Sequence, residues 1–115
     1  MKARIYHNPR CSKSRATLSL LKEHGVDVDV VEYLATPPTA DEIRDLLARL
    51  ELEPAEIIRK GEAAFKESGL TSASPPDELI ALITESPIVL QRPIVVVGDS
   101  ARIGRPPEQV LELLD

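Results

Sequence analysis

The first 33 residues constrain the fold more than any other part of the chain. Lys2 to His7 opens with the alternating, β-prone run Ala3-Arg4-Ile5-Tyr6 and predicts a short strand. Asn8-Pro9 breaks it. Ser12 to His24 carries Ala16, Leu18, Leu20 and Leu21 in a helical setting, and Gly25 follows as its C-terminal stop. Val28 to Tyr33 is rich in β-branched residues and predicts a second strand. Strand, 13-residue helix and strand form a β-α-β unit. The two strands must therefore run parallel, joined by a right-handed crossover.

Thr36-Pro37-Pro38 closes that unit, and residues 36 to 87 read as mostly helical. Thr39-Ala40-Asp41-Glu42 has the form of a capping box. Ile43, Leu46, Leu47 and Leu50 follow as an amphipathic stripe. Pro54 is placed to open a short helix through Ile57, Ile58 and Arg59, ended by Gly61. Ser74-Pro75-Pro76-Asp77 predicts a further capped start, with Leu79, Ile80, Leu82 and Ile83 as the buried side. Ile94 to Val97 is an aliphatic run suited to a buried central strand. Gly98-Asp99-Ser100 turns the chain, and Ala101 to Gly104 returns as the second half of a hairpin. Pro106-Pro107 opens a last helix with Val110, Leu111 and Leu114. The order β-α-β, helices, β-β-α predicts an α/β domain over residues 1–115, a mixed four-stranded sheet with a helical insertion.

Composition narrows the function classes. A 115-residue chain with 43% hydrophobic residues supports one core, built from aliphatic residues because Tyr6, Tyr33 and Phe65 are the only aromatics. A net charge of −5 argues against nucleic acid and against an anionic membrane as partners. No apolar run reaches signal-peptide or membrane-span length, so a cytoplasmic protein is expected. The single cysteine, Cys11, excludes an internal disulfide, a Cys-x-x-Cys pair and a cysteine-based zinc site. No metal-spaced His cluster and no Gly-rich phosphate loop occurs.

Cys11 lies in His7-Asn8-Pro9-Arg10-Cys11-Ser12-Lys13-Ser14-Arg15, between the first strand and the first helix. Unpaired N–H groups and the dipole at a helix start favour an anion there. His7, Arg10, Lys13 and Arg15 add cationic neighbours. A free thiol of pKa about 8.5 is only about 3% thiolate at pH 7. Lowering the pKa to roughly 6.5 raises that to about 75% and requires about 2.7 kcal/mol. A helix end typically supplies about 0.3–1 kcal/mol, so the local cations must contribute. Many lone cysteines are inert, small, buried hydrophobes. Charged flanks and a loop-to-helix junction favour a reactive thiol here. His7 either ends the strand or serves the thiol, and Ser14 is a first-turn residue suited to a local hydrogen bond.

Counting excludes one chemistry. A phosphatase-type loop needs arginine six residues after the cysteine, and that residue is Thr17. No Cys-His-Asp protease pattern is marked either. Arg59, Arg92 and Arg105 fall at element edges. Arg59 suits a helix C-terminus, and Arg92 and Arg105 taken singly read as surface residues. Taken with a nucleophilic thiol, the three suggest a clamp for a tetrahedral oxyanion. Arg92-Pro93 precedes the aliphatic strand, where proline fits the ladder rules.

Tyr6-His7-Asn8-Pro9-x-Cys11 with Ser14-Arg15, Tyr33-Leu34-x-Thr36-Pro37-Pro38-Thr39, Arg59-Lys60, Arg92-Pro93-Ile94-Val95-Val96 and Arg105-Pro106 occur in order over nearly the whole chain. Together they resemble the single-cysteine, glutaredoxin-coupled arsenate reductase family. That resemblance implies a thioredoxin-like fold with a helical insertion at about residues 36 to 87, and a cis bond before Pro93. It implies that Cys11 attacks arsenate to give an arsenate thioester, with His7 and Ser14 supporting the thiolate. Arg59, Arg92 and Arg105 match the positions that bind the oxyanion. Glutathione is then the co-substrate and glutaredoxin the partner that resolves the Cys11–glutathione mixed disulfide, with no bound cofactor. The lack of a second thiol fits that need for an external one. Gly104 stands where some relatives have a second cysteine, and longer members extend beyond the last helix. A regulator that binds RNA polymerase, or a thiol oxidoreductase of another substrate, is the alternative on the same fold.

Overall fold

Alternation at the start of the chain becomes strand β1, Lys2–Tyr6, in the computed structural model, which describes residues 1–114. Helix α1 spans Ser12–Glu23 and strand β2 spans Asp27–Val31. As expected, β1 and β2 pair in parallel, with Ala3 opposite Val28 and Ile5 opposite Val30. Strands β3, Ile94–Val97, and β4, Ser100–Ile103, form the hairpin. Its two-residue turn begins at Gly98, whose φ of +59° is a conformation that favours glycine. β3 runs antiparallel to β1, with Ile5 opposite Val95 and Tyr6 opposite Ile94. The sheet order is β2-β1-β3-β4, so the aliphatic run Ile94–Val97 is an interior strand.

The chain divides into two compact units. The first comprises residues 1–36 and those from 92 onward, and contains the sheet. Its core joins Ala3, Ile5 and Val95 of the sheet to Leu21 of α1 and to Val110 and Leu113. The last two lie in Pro107–Leu113, which is a 3-10 helix rather than the expected α-helix. At three residues per turn, positions 110 and 113 fall on one line, and these are the buried pair. Along α1 the buried line is Ser14, Thr17 and Leu21, while Ala16 is exposed. The inward face of that helix is therefore polar at its start.

The second unit, residues 37–91, is helical. Helix α2, Ala40–Leu50, opens with the expected box: Thr39 Oγ1 accepts from Glu42 N–H, and Glu42 Oε1 accepts from Thr39 N–H, both at 3.1 Å. It buries Ile43, Leu46, Leu47 and Leu50. The helix expected from Pro54 through Arg59 is shorter, a 3-10 turn at Pro54–Ile57. Ile58 is extended and bridges Leu90, and Arg59 N–H donates to Val89 O at 2.6 Å. Backbone pairing with the 89–90 segment removes Arg59 from any helix end. Helix α3, Ala63–Ser68, is a separate element that the periodicity of the sequence does not predict. Helix α4, Pro76–Glu85, buries Leu79, Ile80, Leu82 and Ile83. Its cap is Pro75 without a side-chain hydrogen bond, because the Ser74 hydroxyl instead accepts from Thr71 N–H in the preceding turn. A further 3-10 turn at Pro87–Val89 carries the helical part past residue 87.

Candidate active site

The loop from β1 to α1 is fixed by its own short-range chemistry. His7 N–H donates to Val31 O at 2.8 Å and extends the parallel ladder one residue past β1. Asn8 Oδ1 accepts from Arg10 N–H at 3.0 Å, a side-chain-closed turn typical of asparagine. Asn8 O accepts from Cys11 N–H at 3.0 Å, and Arg15 Nη1 donates to Pro9 O at 2.8 Å. The chain is thereby turned so that Cys11, extended at φ −93° and ψ 123°, becomes the N-cap of α1. The sulfur stands where the first-turn amides point.

Ser14 ties that helix start to the strand end. Its Oγ is hydrogen-bonded to His7 Nδ1 at 2.7 Å and accepts from Asn8 N–H at 3.0 Å. His7, Asn8 and Ser14 are all buried. Burial lowers the His7 pKa, outweighing the opposing pull of Glu32, and Arg15 and Lys22 lower it further. The ring is therefore neutral at neutral pH, with one nitrogen available as an acceptor. The structure brings together Cys11, His7 and Ser14, with His7 joined to the thiol loop through Ser14.

Arg92 and Arg105 arrive from the two segments that flank the hairpin. Arg105 Nη1 lies 3.9 Å from Cys11 Sγ and donates to Arg92 O at 3.0 Å. The Arg92-Pro93 bond is cis, as the resemblance implies, and the Arg105-Pro106 bond is cis as well. Burial pushes the Cys11 thiol up, but the Ser14 amide, the Arg92 guanidinium, the Lys13 amide and the Arg105 guanidinium together bring it below its ordinary value. The two amides belong to the first turn of α1, which Cys11 caps.

Arg59 belongs to the second unit, where its Nε lies 3.5 Å from Glu62 Oε2. Three residues of the first unit, Asn8, Tyr33 and Thr17, have a structural part that the sequence reading did not assign them. Asn8, a strand breaker in the sequence and part of the motif around Cys11, holds the turn; an asparagine two residues before the Arg10 amide is the signal for it. Tyr33 is fully buried, with no aligned hydrogen bond at its hydroxyl. Burial raises its pKa against the opposing Arg92 guanidinium. Thr17 is buried and donates from Oγ1 to Lys13 O at 2.8 Å, directly under the segment at Gly104. Nothing local in the sequence marks Tyr33 or Thr17. Among the described residues, no group of three His, Cys, Asp or Glu side chains could hold a metal ion. No described helix is long and apolar enough to cross a membrane.

Known proteins share the sequence and fold of this chain. The ArsC family pattern matches residues 6–113. A protein of Escherichia coli K12 named uncharacterized protein YfgD is 53% identical over 113 residues, covering 96% of this chain and 95% of that one. A Neisseria meningitidis protein named arsenate reductase is 43% identical over 113 residues, covering 96% and 97%. The structure named arsenate reductase from Vibrio cholerae superposes with a TM-score of 0.96 at 46% identity, covering 99% of this chain and 98% of that one. The sheet with its helical insertion is thus the expected thioredoxin-like fold, and the chain belongs to the ArsC family.

Proposed function

We propose that this protein is an arsenate reductase that draws its electrons from glutathione and glutaredoxin. The observation that carries the reading is the lone cysteine at the start of α1, with Arg105 Nη1 3.9 Å from its sulfur. A thiolate beside guanidinium groups is suited to attack a tetrahedral oxyanion that the same groups hold. The relatives and the solved structure named arsenate reductase support the choice of arsenate.

In this reading Cys11 Sγ attacks arsenic and a hydroxide leaves as water, giving a thioester. Arg92 and Arg105 hold the oxyanion and stabilise the charge that gathers on it, and Arg59 is assigned the same role. Ser14 and His7 keep the helix start in place, so that the Ser14 amide faces the sulfur. The glutathione thiolate then attacks arsenic and displaces a second hydroxide, which leaves as water by taking a proton from solvent. Both S–As bonds then break as Cys11 and glutathione join in a disulfide: one electron pair forms the S–S bond, the other stays on arsenic, which falls from the +5 to the +3 state and leaves as arsenite on taking up water. A glutaredoxin thiolate attacks the glutathione sulfur and releases Cys11 as thiolate. The chain has one cysteine, so an external thiol has to complete the cycle.

The test is NADPH consumption with arsenate, glutathione, glutathione reductase and glutaredoxin, in wild type and Cys11→Ser. Arsenate-dependent turnover that vanishes in a folded Cys11→Ser variant is the expected result. No turnover from folded wild type would move the thiol chemistry to another substrate.

A further inference from the structure

We infer that Gly104 is a positioning residue for Arg105: the lack of a side chain at 104 lets this segment close onto Thr17 and Pro93, and that closure sets the guanidinium beside Cys11. Gly104 is buried, and its backbone is not in the left-handed region, so conformation does not require glycine here. Space does. A Cβ at 104 would lie 2.5 Å from Thr17 Oγ1, 2.8 Å from Pro93 Cγ and 3.1 Å from Thr17 Cγ2. Comfortable carbon contacts lie near 3.5–4.0 Å, about 1 Å further out.

Neither neighbour gives way freely. Thr17 Oγ1 is engaged with Lys13 O at 2.8 Å on the buried face of α1. Pro93 O accepts from Gly104 N–H at 2.9 Å. The next residue is Arg105, anchored to Arg92 O at 3.0 Å and reaching Cys11 Sγ at 3.9 Å. Displacing residue 104 away from Pro93 breaks the bond from Gly104 N–H to Pro93 O and carries the root of Arg105 with it. The same geometry directs any side chain at 104 into Thr17 and Pro93. A cysteine placed there would meet that obstruction and disturb Arg105.

This inference rests on the oxyanion assignment of Arg105 for its meaning in catalysis, but its test needs neither arsenate nor glutathione. The pH dependence of Cys11 alkylation by iodoacetamide is measured in wild type, Gly104→Ala, Arg105→Ala and the Gly104→Ala/Arg105→Ala pair, with circular dichroism to establish folding. Gly104→Ala is expected to lower the thiolate fraction at a fixed pH below the thiol pKa by about three- to tenfold, as loss of a nearby cation does. Arg105→Ala is expected to do the same, and the pair no more. Folded Gly104→Ala with a wild-type profile would overturn the inference, as would additive losses in the pair. Should Gly104→Ala alone fail to fold, Gly104→Ala/Thr17→Ala decides. Removing Thr17 Oγ1 and Cγ2 leaves room for the new Cβ to move off Pro93 Cγ, and is expected to restore both folding and the profile of Thr17→Ala alone. Failure to restore them would overturn the inference.

Discussion

Ser14 Oγ and His7 Nδ1 stand 2.7 Å apart in a site closed to solvent, joining the first turn of α1 to the residue that follows β1. The same oxygen accepts from the Asn8 amide, so one hydroxyl satisfies two buried groups. The loop that presents Cys11 is held by a side chain three residues further on.

Ser14→Ala is expected to destabilise the fold by about 1–3 kcal/mol, because it leaves His7 Nδ1 and Asn8 N–H buried without their partner. Urea unfolding measures this, with the slope unchanged and the midpoint lower. A midpoint equal to wild type would show that water replaces the hydroxyl.

His7 gives the fold a dependence on pH of known sign. Its pKa is lowered in the folded chain. The unfolded chain therefore binds more protons in the window from about 6.5 down to the folded value, and stability falls as pH falls through that window. Unfolding at about pH 7.5 and about pH 5.5 should show a loss in wild type that is smaller in His7→Gln. An equal loss in both would place the titration elsewhere.

Cys11 should alkylate with a midpoint below that of the same thiol free of its folded surroundings, as its lowered pKa requires; a midpoint equal to that of the urea-unfolded chain would contradict it. Arg92→Ala should move that midpoint up, since the Arg92 guanidinium favours the charged sulfur. Arsenate turnover should fall by about 10²-fold in the same variant, the scale of losing one oxyanion donor, while its thermal midpoint changes little. Unaltered turnover would remove Arg92 from the clamp.

Thr39→Ala removes the acceptor for Glu42 N–H and opens the capping box of α2. It should cost about 1 kcal/mol, and Thr39→Ser should recover most of it. Thermal unfolding of the two variants separates the cap from the loss of bulk.

The order of elements was legible because the signals for it are local. Alternation at Ala3–Tyr6, the glycine after α1 and the aliphatic run at Ile94 each act within a few residues. Cys11 was legible for the same reason, since a strand, a break and a helix start surround it. The geometry of the last segment was not, because Val110, Leu111 and Leu114 suit an α-helix as well as a 3-10 one. Arg59 was misplaced at a helix end because its backbone partner, Val89, lies 30 residues away in sequence. The meeting of Cys11 with Arg105, 94 residues apart, depends on β3 pairing with both β1 and β4, and only the resemblance foretold it. Thr17 and Tyr33 received no structural part from the sequence because their surroundings are made by the assembled fold.

The bond from Arg105 Nη1 to the Arg92 carbonyl has an entropic side. Arg105 is an exposed residue, and a free arginine side chain carries about 2 kcal/mol of rotamer entropy. One N–H already spent on a backbone oxygen restricts that motion before any anion arrives. Under the proposed function the guanidinium would meet its ligand with part of its freedom surrendered during folding, so capture of an oxyanion would demand less ordering at the moment of encounter.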